Sequence, residues 1–179
     1  MTVRVAINGF GRIGRNILRA IIENDNKNIN VVGINDLGPV STNAHLLKYD
    51  TIHGKLEQDI IISGNSIDVG FGPIKVTSLR NPEDLPWKDL NVDIVFECTG
   101  IFTSKEKAEL HLKAGAKKVL ISAPSNEADI TVVYGVNHEK INKDHVIISN
   151  ASCTTNCLAP IALVLNNLVG IENGFMTTI

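Results

Sequence analysis

Three cysteines among 179 residues, at positions 98, 153 and 157, are too few for a disulfide framework. No metal-ligand spacing links them to one another or to the five histidines, so no metal is expected. A chain with these free thiols belongs in a reducing, cytoplasmic setting. No apolar run approaches the roughly 18 residues that cross a bilayer, and the first residues already read as a strand, so neither a membrane span nor a leader peptide is expected. An excess of one charge is also missing. Lys and Arg number 17 against 19 Asp and Glu, a net charge of −2 that speaks against a dedicated nucleic-acid binder. The densest basic cluster, Lys113, Lys117 and Lys118, reads as the solvated end of a helix. Internal repeats, low-complexity tracts and flexible linkers are absent from the sequence.

What the chain does contain begins with a cluster of glycines near its start. TVRVAIN, from Thr2 to Asn8, reads as a strand and runs into GFGRIG, with Gly9, Gly11 and Gly14. Apolar residues at Ile17, Leu18, Ile21 and Ile22 then give the helical period. A GxGxxG between strand and helix is the context a dinucleotide-binding turn requires. The three glycines meet separate demands, since Gly9 makes the tight turn, Gly11 lets backbone approach a pyrophosphate, and Gly14 lets the helix pack closely on the sheet. The N–H groups of Arg12 and Ile13 open the helix and would face the phosphates. A second strand, Val31 to Asn35, ends in Asp36, at about the 20-residue spacing expected for a carboxylate that accepts from a ribose hydroxyl. Leu37 follows it and supplies no positive charge for a 2′-phosphate, which favours NAD over NADP.

A second motif, SNASCTTNC from Ser149 to Cys157, carries a nucleophile. Val146, Ile147 and Ile148 read as a buried strand and Leu158 to Val169 as the body of a helix, which puts Cys153 at the strand-to-helix turn. Free N–H groups and the positive helix end favour thiolate there, the reactive form of cysteine. Cys157, four residues on along the same helix face, reads as a packing residue. An activated cysteine one domain-length after a dinucleotide turn points to covalent redox chemistry on an aldehyde, through a thiohemiacetal and a thioester.

The periodicities place strands at 2–8, 30–35, 93–97, 117–122, 131–134 and 145–148, with helices at 12–23, 42–48 and 104–114, the last capped by Ser104. Residues 55–80 read as irregular, turn-rich strands. Pro160 falls inside the final helix, where it costs about 3 kcal/mol unless accommodated. The fold class is α/β, a Rossmann-type, mostly parallel doubly wound sheet, and ligands of such sheets bind at the carboxyl ends of the strands. Gly9, Asp36, Thr99, Ser122 and Cys153 all fall there. His45 and His53 are expected in a loop region near the dinucleotide.

NGFGRIGR from Asn8, NDLG from Asn35, HLLKYDTIHG from His45, ECTGIF from Glu97, ISAP from Ile121, GVNHEKI from Gly135 and SNASCTTNC together resemble the glyceraldehyde-3-phosphate dehydrogenase family. The resemblance implies a NAD-dependent oxidoreductase of glycolysis and gluconeogenesis that converts glyceraldehyde 3-phosphate and inorganic phosphate to 1,3-bisphosphoglycerate. It implies Cys153 as nucleophile, with Ser152 and Thr154 beside it binding substrate or phosphate. Cofactor contacts would come from Asn8, the three glycines, Arg12, Ile13, Asp36, Arg80 and Thr99, with Ser122 on the nicotinamide side.

In that family a histidine acting as general base follows MTTI, the stretch at Met176. The resemblance therefore divides the chain into a NAD-binding domain, 1–152, and the first helix and strand of a truncated α+β catalytic domain, 153–179. On this reading the complete protein is a homotetramer and this chain alone is inactive. The alternatives are an erythrose-4-phosphate dehydrogenase and a NAD-binding fragment without turnover.

Overall fold

A computed structural model describes residues 2–178. Its elements in chain order are β1 (Val3–Asn8), α1 (Arg12–Glu23), β2 (Ile29–Asn35), α2 (Val40–Lys48), β3 (Tyr49–Asp50), β4 (Gly54–Lys55), β5 (Ile61–Ser63), β6 (Ser66–Asp68), β7 (Pro73–Thr77), β8 (Ile94–Glu97), α3 (Lys105–Lys113), β9 (Lys118–Ile121), β10 (Ile130–Thr131), β11 (Ile147–Ser149) and α4 (Cys153–Val169). Among the described residues, nine strands form one sheet in the order β10-β11-β9-β8-β1-β2-β7-β6-β5. Pairing is parallel from β10 to β7, and β6 and β5 add an antiparallel edge.

Alternation along β1 explains why both faces are covered. Val5 and Ile7 enter one core with Leu18, Ile21 and Ile22 of α1 and Leu47 of α2, whereas Ala6 enters the other with Trp87, Val92 and Val95. Burial on both faces is what the apolar parallel strands require, and the sheet is doubly wound as their composition implies. Arg19 is the exception on the α1 core face. Its buried guanidinium donates to the carbonyls of Leu47, His53 and Gly54, tying α1 to the segment after α2.

One transverse row of the sheet matters more than the rest. The register pairs Ser149 with Ile121, Ile121 with Glu97, Glu97 with Asn8, Asn8 with Asn35, and Asn35 with Thr77. Five of these six residues are polar, and they stand at the carboxyl ends of β11, β8, β1, β2 and β7. Gly9, Asp36, Thr99, Ser122 and Cys153 all leave the sheet within a few residues of this row.

Several boundaries differ from the sequence reading for local reasons. The strand expected at 131–134 is cut to Ile130–Thr131 because the Asn137 side chain accepts from Val133 N and donates to Thr131 O, turning the chain away. The strand expected at 145–148 begins later, as β11, because Val146 N is held by the Asp129 carboxylate. Ser104 caps α3 as its position suggested, and α4 runs unbroken through Pro160. After Gly170 the described chain, to Thr178, makes no ladder pairing, since a strand needs a neighbour to pair with; Ile179 lies outside the described residues. Cys157 is exposed on α4 and does not pack as expected. Among the described residues no helix is long and apolar enough to cross a membrane.

Asp129 fastens β11 and so the turn that follows it. Its carboxylate accepts from Val146 N at 2.8 Å, from Ile147 N at 2.9 Å and from Lys105 Nζ at 2.6 Å. Burial works to raise this carboxyl, but the Lys105 ammonium and the two N–H groups outweigh it and hold it at about 2. A depressed folded-state value stabilises the fold above the ordinary carboxylate range, and that contribution is lost as pH falls through about 2. Asp129→Asn is therefore expected to lower the thermal midpoint at neutral pH, with the gap to the parent chain closing as the pH approaches that value. Melting curves across an acid series check this.

Candidate active site

The glycine turn is built as its spacing demands. Gly9 has φ +88°, and a Cβ there would lie 2.8 Å from Thr99 N; a Cβ on Gly14 would collide with the carbonyl oxygen of Gly9. Asp36 closes the turn from the next strand, accepting from Phe10 N at 2.9 Å and Gly38 N at 2.8 Å. Two of its four lone-pair positions are thus used within the protein, and two remain for a ligand. Arg15 donates to Phe10 O and holds the turn from the helix side.

No side chain caps α1, so the first N–H groups of the helix have no intrahelical or side-chain partner. The turn separates two cavities. One, of about 360 Å³, is lined by Asn8, Gly9, Gly11, Asp36, Arg80 and Thr99, together with Leu37, Cys98 and Phe102 among others. The second, of about 460 Å³, is lined by Ile13, Ser122, Asn150, Ser152, Cys153 and Asn156, with Ile17, Phe96 and Leu120 as part of its apolar wall. Gly11 belongs to the first and Ile13 to the second, so the uncapped helix start lies between them.

The second cavity receives a thiol on a rigid mount. Cys153 is the first residue of α4, exposed, behind Ser152 as N-cap, whose Oγ accepts from Thr155 N at 3.0 Å. Ser149 Oγ accepts from Ala151 N and donates to Ala123 O, and Asn156 Nδ2 donates to Asn150 O at 2.7 Å. Ala151 takes φ +56°, the left-handed region that a non-glycine residue enters at a cost of about 1–2 kcal/mol. Cys98 is a different kind of thiol. Burial pushes it up to about 12; a hydrogen bond with Ser122 works against this and the Glu97 carboxylate with it.

The structure thus gathers most of the residues singled out in the sequence and separates four. The Arg12 guanidinium pairs with Asp50, so what Arg12 offers the helix start is its N–H. The His53 N–H, against the opposing effect of burial, and then the Ile52 N–H and Arg12 hold the Asp50 carboxyl well below the usual range. Thr154 lines a separate cleft with Leu158, Ala162 and Met176. His45 lies on α2 against Tyr49, and neither it nor His53 lines the first cavity. Sequence reasoning missed Glu97, His111 and Trp87, which are buried beneath the first cavity. A charged residue ending the apolar run IVFE draws attention to Glu97, but nothing local marks its role or those of His111 and Trp87.

The residues present fit a dinucleotide. An added Cβ at Gly11, whose φ is −71°, meets no protein atom within 4 Å, so this glycine is not required by the fold itself. The open space beside it adjoins unpaired helix N–H groups, which suit a pyrophosphate. Fold and turn define a Rossmann-type dinucleotide-binding protein. Residues 3–105 match the family described as glyceraldehyde 3-phosphate dehydrogenase, NAD binding domain, and residues 152–179 match glyceraldehyde 3-phosphate dehydrogenase, C-terminal domain. The chain belongs to the glyceraldehyde-3-phosphate dehydrogenase family, and its cofactor is NAD. It is 66% identical over 179 residues to the glyceraldehyde-3-phosphate dehydrogenase of Xanthobacter flavus, 61% over 179 residues to that of Cereibacter sphaeroides and 57% over 180 residues to that of Pseudomonas aeruginosa. Each match covers 100% of this chain and 53%, 53% and 54% of the relative, respectively, so the chain spans about half the length of the curated relatives it matches.

Because Gly11 is sterically free, Gly11→Ala separates folding from binding. The variant is expected to keep the parent melting temperature and to bind NAD more weakly, as read by differential scanning calorimetry and isothermal titration. Unchanged NAD affinity would show that no ligand uses the space beside Gly11.

Proposed function

We propose that the protein oxidises glyceraldehyde 3-phosphate with NAD and inorganic phosphate, through a covalent adduct on Cys153, and that residues 1–152 hold the cofactor while 153–179 open a catalytic domain. One observation carries this reading: the uncapped start of α1 lies between a cavity lined by Asp36, Arg80 and Thr99 and a cavity lined by Ser122 and Cys153. A dinucleotide with its pyrophosphate on the Arg12 and Ile13 N–H groups and its ribose on Asp36 would direct its other end to the thiol. The domain division is supported by α4, none of whose residues is buried although Leu158, Ile161, Val164, Leu165 and Leu168 are apolar.

In this reading the Cys153 thiolate adds to the aldehyde carbon, and the carbonyl oxygen takes a proton to give a thiohemiacetal. Bound NAD supplies the hydride acceptor. Cys153 then holds the oxidised carbon as a thioester, the hydroxyl proton having left to solvent or a base. Attack by phosphate oxygen on that carbon breaks the C–S bond, releasing acyl phosphate and restoring the thiolate. Ser152 lines the same cavity, and in this reading its hydroxyl would bind a phosphate oxygen. The free cysteines fit a reducing, cytoplasmic compartment, and the family resemblance extends the proposal to a homotetramer of the complete protein.

One observation favours a second reading for this chain by itself. Among the described residues, no histidine lines the Cys153 cavity, and a cysteine nucleophile without a base loses much of its activation. On that reading the chain binds NAD without turning over. NADH formation at 340 nm from glyceraldehyde 3-phosphate, with and without phosphate, alongside the intact mass of the native protein, separates the two. Turnover by a longer native protein supports the first, and NAD binding without turnover by a protein of this chain's mass supports the second. In the active protein Cys153→Ser is expected to abolish NADH formation with NAD affinity unchanged. Asp36→Ala is expected to weaken NAD more than NADP; an unaltered preference would count against the ribose assignment.

A further inference from the structure

Glu97 is a carboxylate buried at the end of an apolar strand, 1% exposed, and it does not line the cavity that holds the Cys153 thiol. Burying a charge is unfavourable unless hydrogen bonds replace its water, and an apolar side chain of similar volume would hold the same core. Glu97 has those bonds in full. Its Oε1 accepts from Thr99 N at 2.8 Å and from the Thr99 hydroxyl, and its Oε2 accepts from Asn8 Nδ2 at 2.6 Å and His111 Nε2 at 2.9 Å.

The direction of every bond is fixed by the neighbours. An indole N–H can only donate, and Trp87 Nε1 donates to His111 Nδ1 at 3.0 Å. The His111 proton is therefore on Nε2, aimed at Glu97. Asn8 is oriented from the other side, its Oδ1 accepting from Asn35 Nδ2 at 2.7 Å. Asn35 in turn accepts from Leu79 N at 2.9 Å and Thr77 Oγ1 at 3.0 Å. All four groups that meet at Glu97 donate, so both of its oxygens act as acceptors, as those of an ionised carboxylate do.

The two residues that Glu97 holds on the cavity side are Thr99 and Asn8, and both line the first cavity. Thr99 also sets the position of the glycine turn, since its N and Cγ2 would lie 2.8 and 2.9 Å from a Cβ on Gly9. Its hydroxyl accepts from Ile101 N at 3.1 Å, so the loop beyond β8 is placed through the same residue. We propose that Glu97 is a positioning residue for the cofactor, which fixes Thr99 and Asn8 across the β1–β8 junction, with His111 and Trp87 as its rear support. This rests on the reading of the first cavity as part of the NAD site.

Glu97→Gln tests it, because the volume is kept and one acceptor becomes a donor. The new amide N–H must face either the two Thr99 donors or Asn8 and His111. Asn8 cannot turn without losing Asn35, nor can His111 change its proton without losing Trp87. Trp87→Phe tests the rear support at a residue that lines neither cavity, because without the indole N–H nothing holds the His111 proton on Nε2, aimed at Glu97.

The measurement is the Kd of this chain for NAD, and for ADP as a probe of the first cavity, below the melting midpoint of each variant. Glu97→Gln is expected to raise both by about tenfold or more, the factor one unsatisfied buried donor costs. A purely structural role would lower the melting midpoint of Glu97→Gln and leave the Kd of its folded fraction unchanged. That result overturns the proposal. Should Glu97→Gln fail to fold, Trp87→Phe decides alone: raised Kd values for its folded state support the proposal, and Kd values equal to the parent's overturn it. Failure of the parent chain itself to bind NAD would overturn the cofactor reading first, and this proposal with it.

Discussion

An α-helix begins with N–H groups that its own turns cannot satisfy, and α1 begins inside a glycine turn with no side chain to cap it. This is the constraint on which the rest of the molecule is arranged. The turn has to bring the helix start close to the sheet, which only Gly9 and Gly14 permit, and it has to leave the N–H groups accessible, which Gly11 permits. Asp36 then braces the turn through Phe10 N and Gly38 N while keeping lone pairs free. The positive end of a helix dipole and a carboxylate with lone pairs to spare thus both border the first cavity.

The sheet converts that local geometry into a site. Because parallel strands end in register, the row Ser149, Ile121, Glu97, Asn8, Asn35 and Thr77 launches every loop that contributes a candidate residue. Side-chain hydrogen bonds run along most of this row, from Thr77 through Asn35 and Asn8 to Glu97. At the other end, Ser149 and Asp129 secure the turn on which Cys153 is mounted. The left-handed Ala151 within that turn is itself buried and has its N–H held by the Ser149 hydroxyl, and such backbone persists only where its surroundings fix it in this way.

Local chemistry was legible in the sequence wherever neighbouring residues sufficed to define it. The Gly9–Gly14 turn, the Ser104 cap and the placement of Cys153 at a strand-to-helix turn each depend on a few consecutive residues. Glu97, His111 and Trp87 were not legible, because their roles come from strand register and from α3 folding onto the sheet. Asp36 was legible as a carboxylate at the right spacing, but its bond to Phe10 N depends on how β2 lies beside β1. The exposed Cys157 shows the opposite limit: helical period identifies a face, and only a packing partner buries it. Thr154 was assigned by its place beside Cys153, whereas successive residues of a helix point in different directions and Thr154 faces another cleft.

If one dinucleotide spans the start of α1 and reaches the Cys153 turn, both ends of the site respond to it in hydrogen exchange followed by mass spectrometry, with and without NAD. NAD is expected to slow exchange at residues 9–14 and 97–101 and also at 150–154. Protection confined to the first two segments, with 150–154 unchanged under saturating NAD, would show that the dinucleotide does not reach the thiol.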